Sequence, residues 1–352
     1  MADDFELGGE RIARGSEADI GLPITTMATG FNSQLAVRVA HGAKPGPVVF
    51  ISGAIHGDEI LGTAIIQRIA NLISAETLSG TLLLIPVTNI FGFLNRSRYL
   101  PDRRDLNRSF PGSPNGSLAG QLAHVFFTEI VSRATLGIDI HTAAEHRYNL
   151  PQIRMAAGNK KLVELAMAFA PPVIIESPLR EGSLRELAHQ QGVDMLLMET
   201  GEALRFDRFS IDTGVAGIQR VLAHLGMIEA EDGLNEISVP ARSNKSRWVR
   251  SPRGGVSHRV LKSGDAVKKG DLLAVVSGLF GEEPHELVSP TDGLIIGHAT
   301  LPVVHQGDAL YHIAQVDHPE RVGKRIETLT EAIYASEPEG FAEALLDEDE
   351  VL

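Results

Sequence analysis

The chain has 352 residues, 43% of them hydrophobic, and a mean hydropathy of +0.02, enough to bury a large core as one catalytic-sized domain plus something smaller. Its 45 acidic against 32 basic residues give a formal charge of -13, which argues against broad nucleic-acid or anionic-membrane binding while leaving room for a local basic pocket. With no cysteine, disulfides, thiolate ligands and a Cys nucleophile are excluded, so any metal must be held by His and carboxylates.

The start, MADDFELGGERIARG, lacks the basic-then-apolar order of an export signal, and no apolar run approaches the roughly 18 to 20 residues of a membrane span, so a soluble cytoplasmic protein is expected. The first 30 or so residues are polar and Gly/Thr-rich. SQLAVRVAHG (33–42) then alternates like a strand, and PVVFISGA (47–54) reads as a buried one. EILGTAIIQRIANLIS (59–74) carries apolar residues at helical spacing, and TLLLIPV (81–87) is another strand. Residues 89–117 follow neither period and exceed an ordinary connection, which marks a functional loop. A helix is predicted over 117–134 with Ser117 as its cap, then strands over 136–143, 152–157, 172–177 and 194–201, with helices between and a last helix reaching about His224. This alternation predicts an α/β domain with a mainly parallel or mixed sheet flanked by helices.

Around 233–250 the Pro, Ser and Asn content fits a linker or extended arm. Beyond it, residues 251–276 align with 289–313: Ser-Pro, a following Gly, then Val-X-X-Gly-Asp and an apolar strand. Two related halves predict a small β domain with internal pseudo-symmetry over 251–314. A helical tail over 315–352 ends in the acidic LLDEDEVL.

The chemistry gathers at strand ends. His56 and Glu59, in GAIHGDE, stand where strand 47–54 gives way to a helix, on the crevice side of an open α/β sheet. They read either as a charged turn or as two ligands of one ion. A catalytic zinc site needs a third protein donor, and His141, at the end of LGIDIHTA, is placed to supply it. DMLLMETGE puts Glu199 at a third strand end as a candidate general base, with Glu202 as its local competitor. Glu202 can equally be a helix N-terminal acid. The loop RRDLNRSFPG carries Arg103, Arg104, Asn107 and Arg108, with Arg98 just upstream, and arginine forks of this kind pair with a substrate carboxylate or phosphate. Arg147 can join from the opposite wall, although a basic loop forming surface ion pairs fits the composition equally. Asp105 and Asp139 are candidates to hold the far ring nitrogens of ligating histidines, or else cap turns.

With GAIHGDE, DLNRSFPG, DIHT and METG in place, residues 45–225 resemble the succinylglutamate desuccinylase/aspartoacylase family, relatives of the zinc carboxypeptidases. The resemblance implies a zinc hydrolase domain over 1–232 with one Zn2+ on His56, Glu59 and His141, and with Glu199 as base. It implies that Asn107 and Arg108 grip the substrate carboxylate, that Arg98 polarises the scissile carbonyl, and that Asp105 backs the first histidine. The implied substrate is a small anionic N-acyl amino acid; a carboxypeptidase-like enzyme and a non-catalytic binding protein retaining the fold stay open. The C-terminal repeat is similar to the barrel-sandwich shape of biotinyl and lipoyl carriers. Its hairpin SGLFGEEPHELVSP (277–290) has no Lys to modify, which leaves shaping of the cleft mouth or homo-oligomerisation as its role.

Overall fold

The structure, a computed structural model, describes residues 4–230 and 239–335. The polar N-terminal segment forms a small hairpin, β1 (Phe5–Leu7) and β2 (Glu10–Ile12), and the long strand β3 (Ser16–Thr26), antiparallel to β4 (Asn32–His41). β3 escapes the apolar-run criterion because it is an edge strand: Asp19 faces Arg38 across the pair at 2.7 Å, and such edge charges discourage further pairing. Next come β5 (Lys44–Gly53), α1 (Leu61–Leu72) and β6 (Ser79–Ile85), a unit with parallel strands. The chain continues through α2 (Ile90–Leu94), α3 (Leu118–Glu129), β7 (Leu136–Ala143) and β8 (Arg147–Met155). α4 (Lys160–Phe169), β9 (Val173–Glu176), α5 (Leu184–Gln190), β10 (Asp194–Glu202) and α6 (Arg208–His224) complete this part.

The architecture is a mixed sheet covered by helices on both faces. Alternate residues serve opposite cores: Val49 and Ile51 of β5 and Leu82 and Leu84 of β6 pack with α1, α4 and α6, whereas Phe50, Leu83 and Ile85 pack with α3 and α5. That double burial explains the uninterrupted apolar runs. β10, β7 and β5 lie side by side and parallel. β8 runs antiparallel to β10 and begins at Arg147, five residues before the strand expected from 152; Pro151 and the polar 147–149 conceal its first half.

The stretch read as a linker or arm is, within its described residues, two strands: β11 (Ala241–Ser243) beside β9, and β12 (Ser246–Arg250) beside β19 (Ala309–Ala314). Between them lie β13 (Gly255–Arg259), β14 (Ala266–Val267), β15 (Leu272–Ser277), β16 (His285–Val288), β17 (Gly293–Ala299) and β18 (Val303–Val304). The two repeated halves exchange the same bonds. Ser251 N–H donates to the Asp308 carbonyl and Ser289 N–H to that of Asp271, each at 2.8 Å, while Gly307 N–H and Gly270 N–H return bonds to the Ser251 and Ser289 carbonyls at 2.8 Å. Asp308 and Asp271 each close their turn by accepting from the N–H three residues earlier. The Gly-Asp turns are therefore the clasps that join the halves, and the left-handed φ of +96° at Gly270 and +90° at Gly307 is why glycine precedes each aspartate. β17 also pairs antiparallel with β8, so this unit continues the central sheet. α7 (Pro319–Ala335) packs Val322 and Ile326 beside it; LLDEDEVL lies outside the described residues. Among the described residues no helix is long and apolar enough to cross a membrane.

Two histidines of this unit are buried. His298 accepts from the Ser263 N–H at 3.1 Å, and His312 stacks on Trp248 with ring centres 4.3 Å apart. Burial pushes their pKa values down to about 4 and about 3, helped by nearby arginine and lysine charge. Because the unfolded rings titrate near 6.5, the unfolded state binds more protons below that pH, and stability falls as pH drops from about 6.5 toward these folded values. The expected cost is about 2 kcal/mol per ring between pH 6.5 and 5. Urea midpoints at the two pH values should show the loss, and His312→Gln should remove its share; an equal pH dependence in that variant would reject the assignment.

Candidate metal centre and active-site cleft

Three adjacent parallel strands carry the candidate groups to one edge. β5 ends at Gly53, and Ala54, at a left-handed φ of +48°, turns the chain out of the sheet. The Gly53 and Ala54 carbonyls accept from Thr88 and Asn89 N–H at 2.9 Å, which pins the turn to the following loop. At Gly57 a Cβ would lie 2.0 Å from the backbone of Gly92, so only glycine lets the turn pass α2. His141 stands on β7 and Glu199 opposite it on β10 as register partners.

The triad closes around Glu59. His56 Nδ1 lies 2.7 Å from Glu59 Oε1 and His141 Nδ1 lies 2.8 Å from Oε2, with all three residues buried. One ligand atom from each falls within 4.8 Å of the others. Each ring's far nitrogen meets its own carboxylate: His56 Nε2 with Asp105 at 3.2 Å, and His141 Nε2 with Asp139 at 2.8 Å. Ser52 Oγ donates to the other oxygen of Asp139 at 2.8 Å. Two imidazoles and a carboxylate converging on one point, each ring steadied from behind by an aspartate, is the donor chemistry that fits a divalent metal.

The electrostatics agree. Burial alone would push both imidazoles down, but Glu59 with Asp105 raises His56, and Asp139 with Glu59 raises His141 well above the usual range. Burial would likewise raise Glu59 and Asp105, yet the facing cations hold both far below the normal carboxylate range. Asp58 is raised, because burial and the Glu59 charge outweigh the pull of His56 and Arg98.

A cleft of about 380 Å3 opens over this centre. Arg98 lines it while donating to Glu59 at 3.3 Å and Asp105 at 3.0 Å. Asn107, Arg108 and Arg147 also line it. The Asn107 side-chain oxygen Oδ1 accepts from Leu184 N–H at 2.9 Å, committing that atom to the protein and leaving the side-chain N–H donors to the cleft. The Arg147 guanidinium lies 5.8 Å from the centre of the Trp248 ring. Arg104 departs from expectation: its side chain is 63% exposed, 4.0 Å from Asp102, and outside the cleft. The cause is local, since Arg103 takes a left-handed φ of +64° in a turn closed by bonds between residues 100 and 103–104.

β10 separates the two competing glutamates. Gly201, at φ +68°, sits in a break of register just after Glu199. Beyond it Glu202 accepts from the His146 N–H at 2.9 Å and Thr300 Oγ at 3.1 Å, whereas Glu199 stays in the cleft. Sequence reasoning missed Asn149, Arg154, Arg180, Arg185, Trp248 and His298, which also line the cleft. They come from β8, the 177–185 segment and the C-terminal unit, and no local pattern connects them.

Fold and site together match those of amide-bond hydrolases. The family profile for the succinylglutamate desuccinylase/aspartoacylase catalytic domain matches residues 45–225, more than half of the chain, and the protein belongs to that family. It is 26% identical over 330 residues to the N-alpha-acetyl-L-2,4-diaminobutyric acid deacetylase of Halomonas elongata, covering 89% of this chain and 94% of the relative. The product-bound structure of the ectoine utilization protein EutE (DoeB) from Ruegeria pomeroyi superposes with a TM-score of 0.77 at 26% identity, covering 86% of this chain and 96% of that one. A succinylglutamate desuccinylase/aspartoacylase from Rhodobacter sphaeroides shares the fold, with a TM-score of 0.77 at 24% identity over 85% of this chain and 96% of its own.

The donor set leads to a direct expectation. The chain should take up one divalent cation, and His141→Ala should lose it while keeping a cooperative unfolding transition. Metal analysis after gel filtration checks this; stoichiometric metal in the variant would remove His141 from the site.

Proposed function

We propose that the chain is a zinc-dependent amidohydrolase that releases the acyl group of a small, anionic N-acylated amino acid. The observation that carries the reading is the convergence of His56, Glu59 and His141 at the ends of neighbouring strands, with Glu199 in register beside His141 in an arginine-lined cleft. Kinship with a deacetylase that acts on an N-acetylated amino acid supports the bond class.

His56, Glu59 and His141 would hold one Zn2+, which supplies Lewis acidity toward water and a carbonyl oxygen. Asn107 and Arg108 receive the substrate carboxylate, the amide through its free N–H donors and the guanidinium through charge. Arg98 keeps two of its donors on Glu59 and Asp105 and turns its remaining polarity to the carbonyl oxygen. Glu199 accepts a proton from the attacking water as the new C–O bond forms, and returns it to the nitrogen as the C–N bond breaks. Asp105 and Asp139 hold the two imidazoles in place.

Turnover of a panel of N-acyl amino acids and dipeptides by zinc-loaded protein tests the reading: acid release from the former is expected, and cleavage confined to dipeptides would replace it with a peptidase. Glu199→Gln should retain metal and lose about 100- to 10,000-fold in kcat; full activity would end its assignment as base. Arg108→Ala should raise KM about 10- to 100-fold with little change in kcat, the worth of a charged hydrogen bond.

A further inference from the structure

Both oxygens of the Glu199 carboxylate are held by side chains of β8. Asn149 Nδ2 donates to Oε2 at 2.8 Å and Arg154 Nη1 lies 3.2 Å from Oε1. The pair is largely shielded, the Glu199 side chain being 14% exposed and that of Arg154 22%. Arg154 is itself held. Arg154 Nε donates to Gln152 Oε1 at 3.3 Å, and the Gln152 amide, fully buried, donates to the carbonyls of Leu150 at 3.1 Å and Ile296 at 3.2 Å. Ile296 belongs to β17. On the same strand Gly297 faces Asn149 in register, where a Cβ would come within 3.0 Å of Asn149 Oδ1.

We infer that Asn149 and Arg154 are positioning residues for Glu199, and that the C-terminal β unit acts on the catalytic carboxylate through them, by way of Gln152 and β17. This rests on Glu199 being the base. A free glutamate samples several rotamers; one fastened at both oxygens presents its remaining lone pairs in a fixed direction, and an ångström of misplacement at a reacting group is costly. Substrate anchoring is the competing role for Arg154, and the cleft makes it redundant. Among the described residues Arg108, Arg147 and Arg180 line the same cleft with no carboxylate within 4 Å, whereas the charge of Arg154 is already opposed by Glu199.

The experiment compares kcat, KM and substrate binding for Arg154→Met, Arg154→Lys, Gln152→Met and Gly297→Ala, alone and with Glu199→Gln, in zinc-loaded protein of verified metal content. Arg154→Met should lower kcat about 10- to 100-fold with KM nearly unchanged, and Arg154→Lys should recover part of it. Gln152→Met and Gly297→Ala, whose residues lie outside the cleft, should lower kcat in the same sense, so the inference stays testable if Arg154→Met does not fold. In the Glu199→Gln background none should cost more. Wild-type kcat in the folded variants, with Glu199→Gln inactive, overturns the positioning role alone. Weaker substrate binding by Arg154→Met in that background makes Arg154 a substrate anchor and also overturns it. An active Glu199→Gln enzyme overturns the base and the inference together.

Discussion

The site depends on a buried carboxylate that must not be left alone. Glu59 sits with Asp58, Asp105 and Asp139 beneath the cleft, and an unpaired charge there would be expensive. The compensation comes from distant parts of the chain: His56 from the same turn, His141 from β7, and Arg98 from the loop after β6. Breaking one partner strands the rest, so the cluster ties the 86–117 loop to the sheet edge. The same concentration of negative charge under two imidazoles is what makes the place attractive to a dication.

Sheet order explains why these groups meet. β10, β7 and β5 are neighbours and point the same way, so residues at their ends share one rim, although 143 positions separate His56 from Glu199 in the numbering. The turns then adjust the details. Ala54 bends the first strand out, Gly57 allows α2 to approach, and Gly201 lets Glu199 stay in the cleft while Glu202 ties the 146 and 300 segments together.

What was legible in the sequence follows from this geometry. His56, Glu59, His141 and Glu199 could be singled out because each stands where a doubly buried strand, readable as an apolar run, hands over to polar residues. The loop arginines were harder, because five of them crowd one polar segment; Arg98 and Arg108 turn inward and Arg104 outward on backbone angles that no periodicity encodes. β3 and the first half of β8 were illegible for a related reason. An edge strand with charges and a strand containing Pro151 lack the pattern that a fully covered strand must have. Asn149 and Arg154 are invisible from sequence because their meaning lies across strands: β8 touches β10 on one side and β17 on the other.

That last contact bears on how the C-terminal unit should be regarded. Its repeat resembles a carrier, and a carrier must swing on a flexible tether. Here β17 and β8 share a backbone ladder, β12 and β19 extend the same sheet, and α7 packs against the join. Moving the unit would break buried backbone hydrogen bonds that have no alternative partners, a cost far above that of a hinge. The unit instead presents Trp248 and His298 to the cleft. Trp248 is backed by a neutral stacked His312 and faced by Arg147, an arrangement that makes a stiff wall of the cleft with a cationic tip. The two halves of the repeat, clasped by their Gly-Asp turns, thus form a rigid unit that closes one side of the cleft.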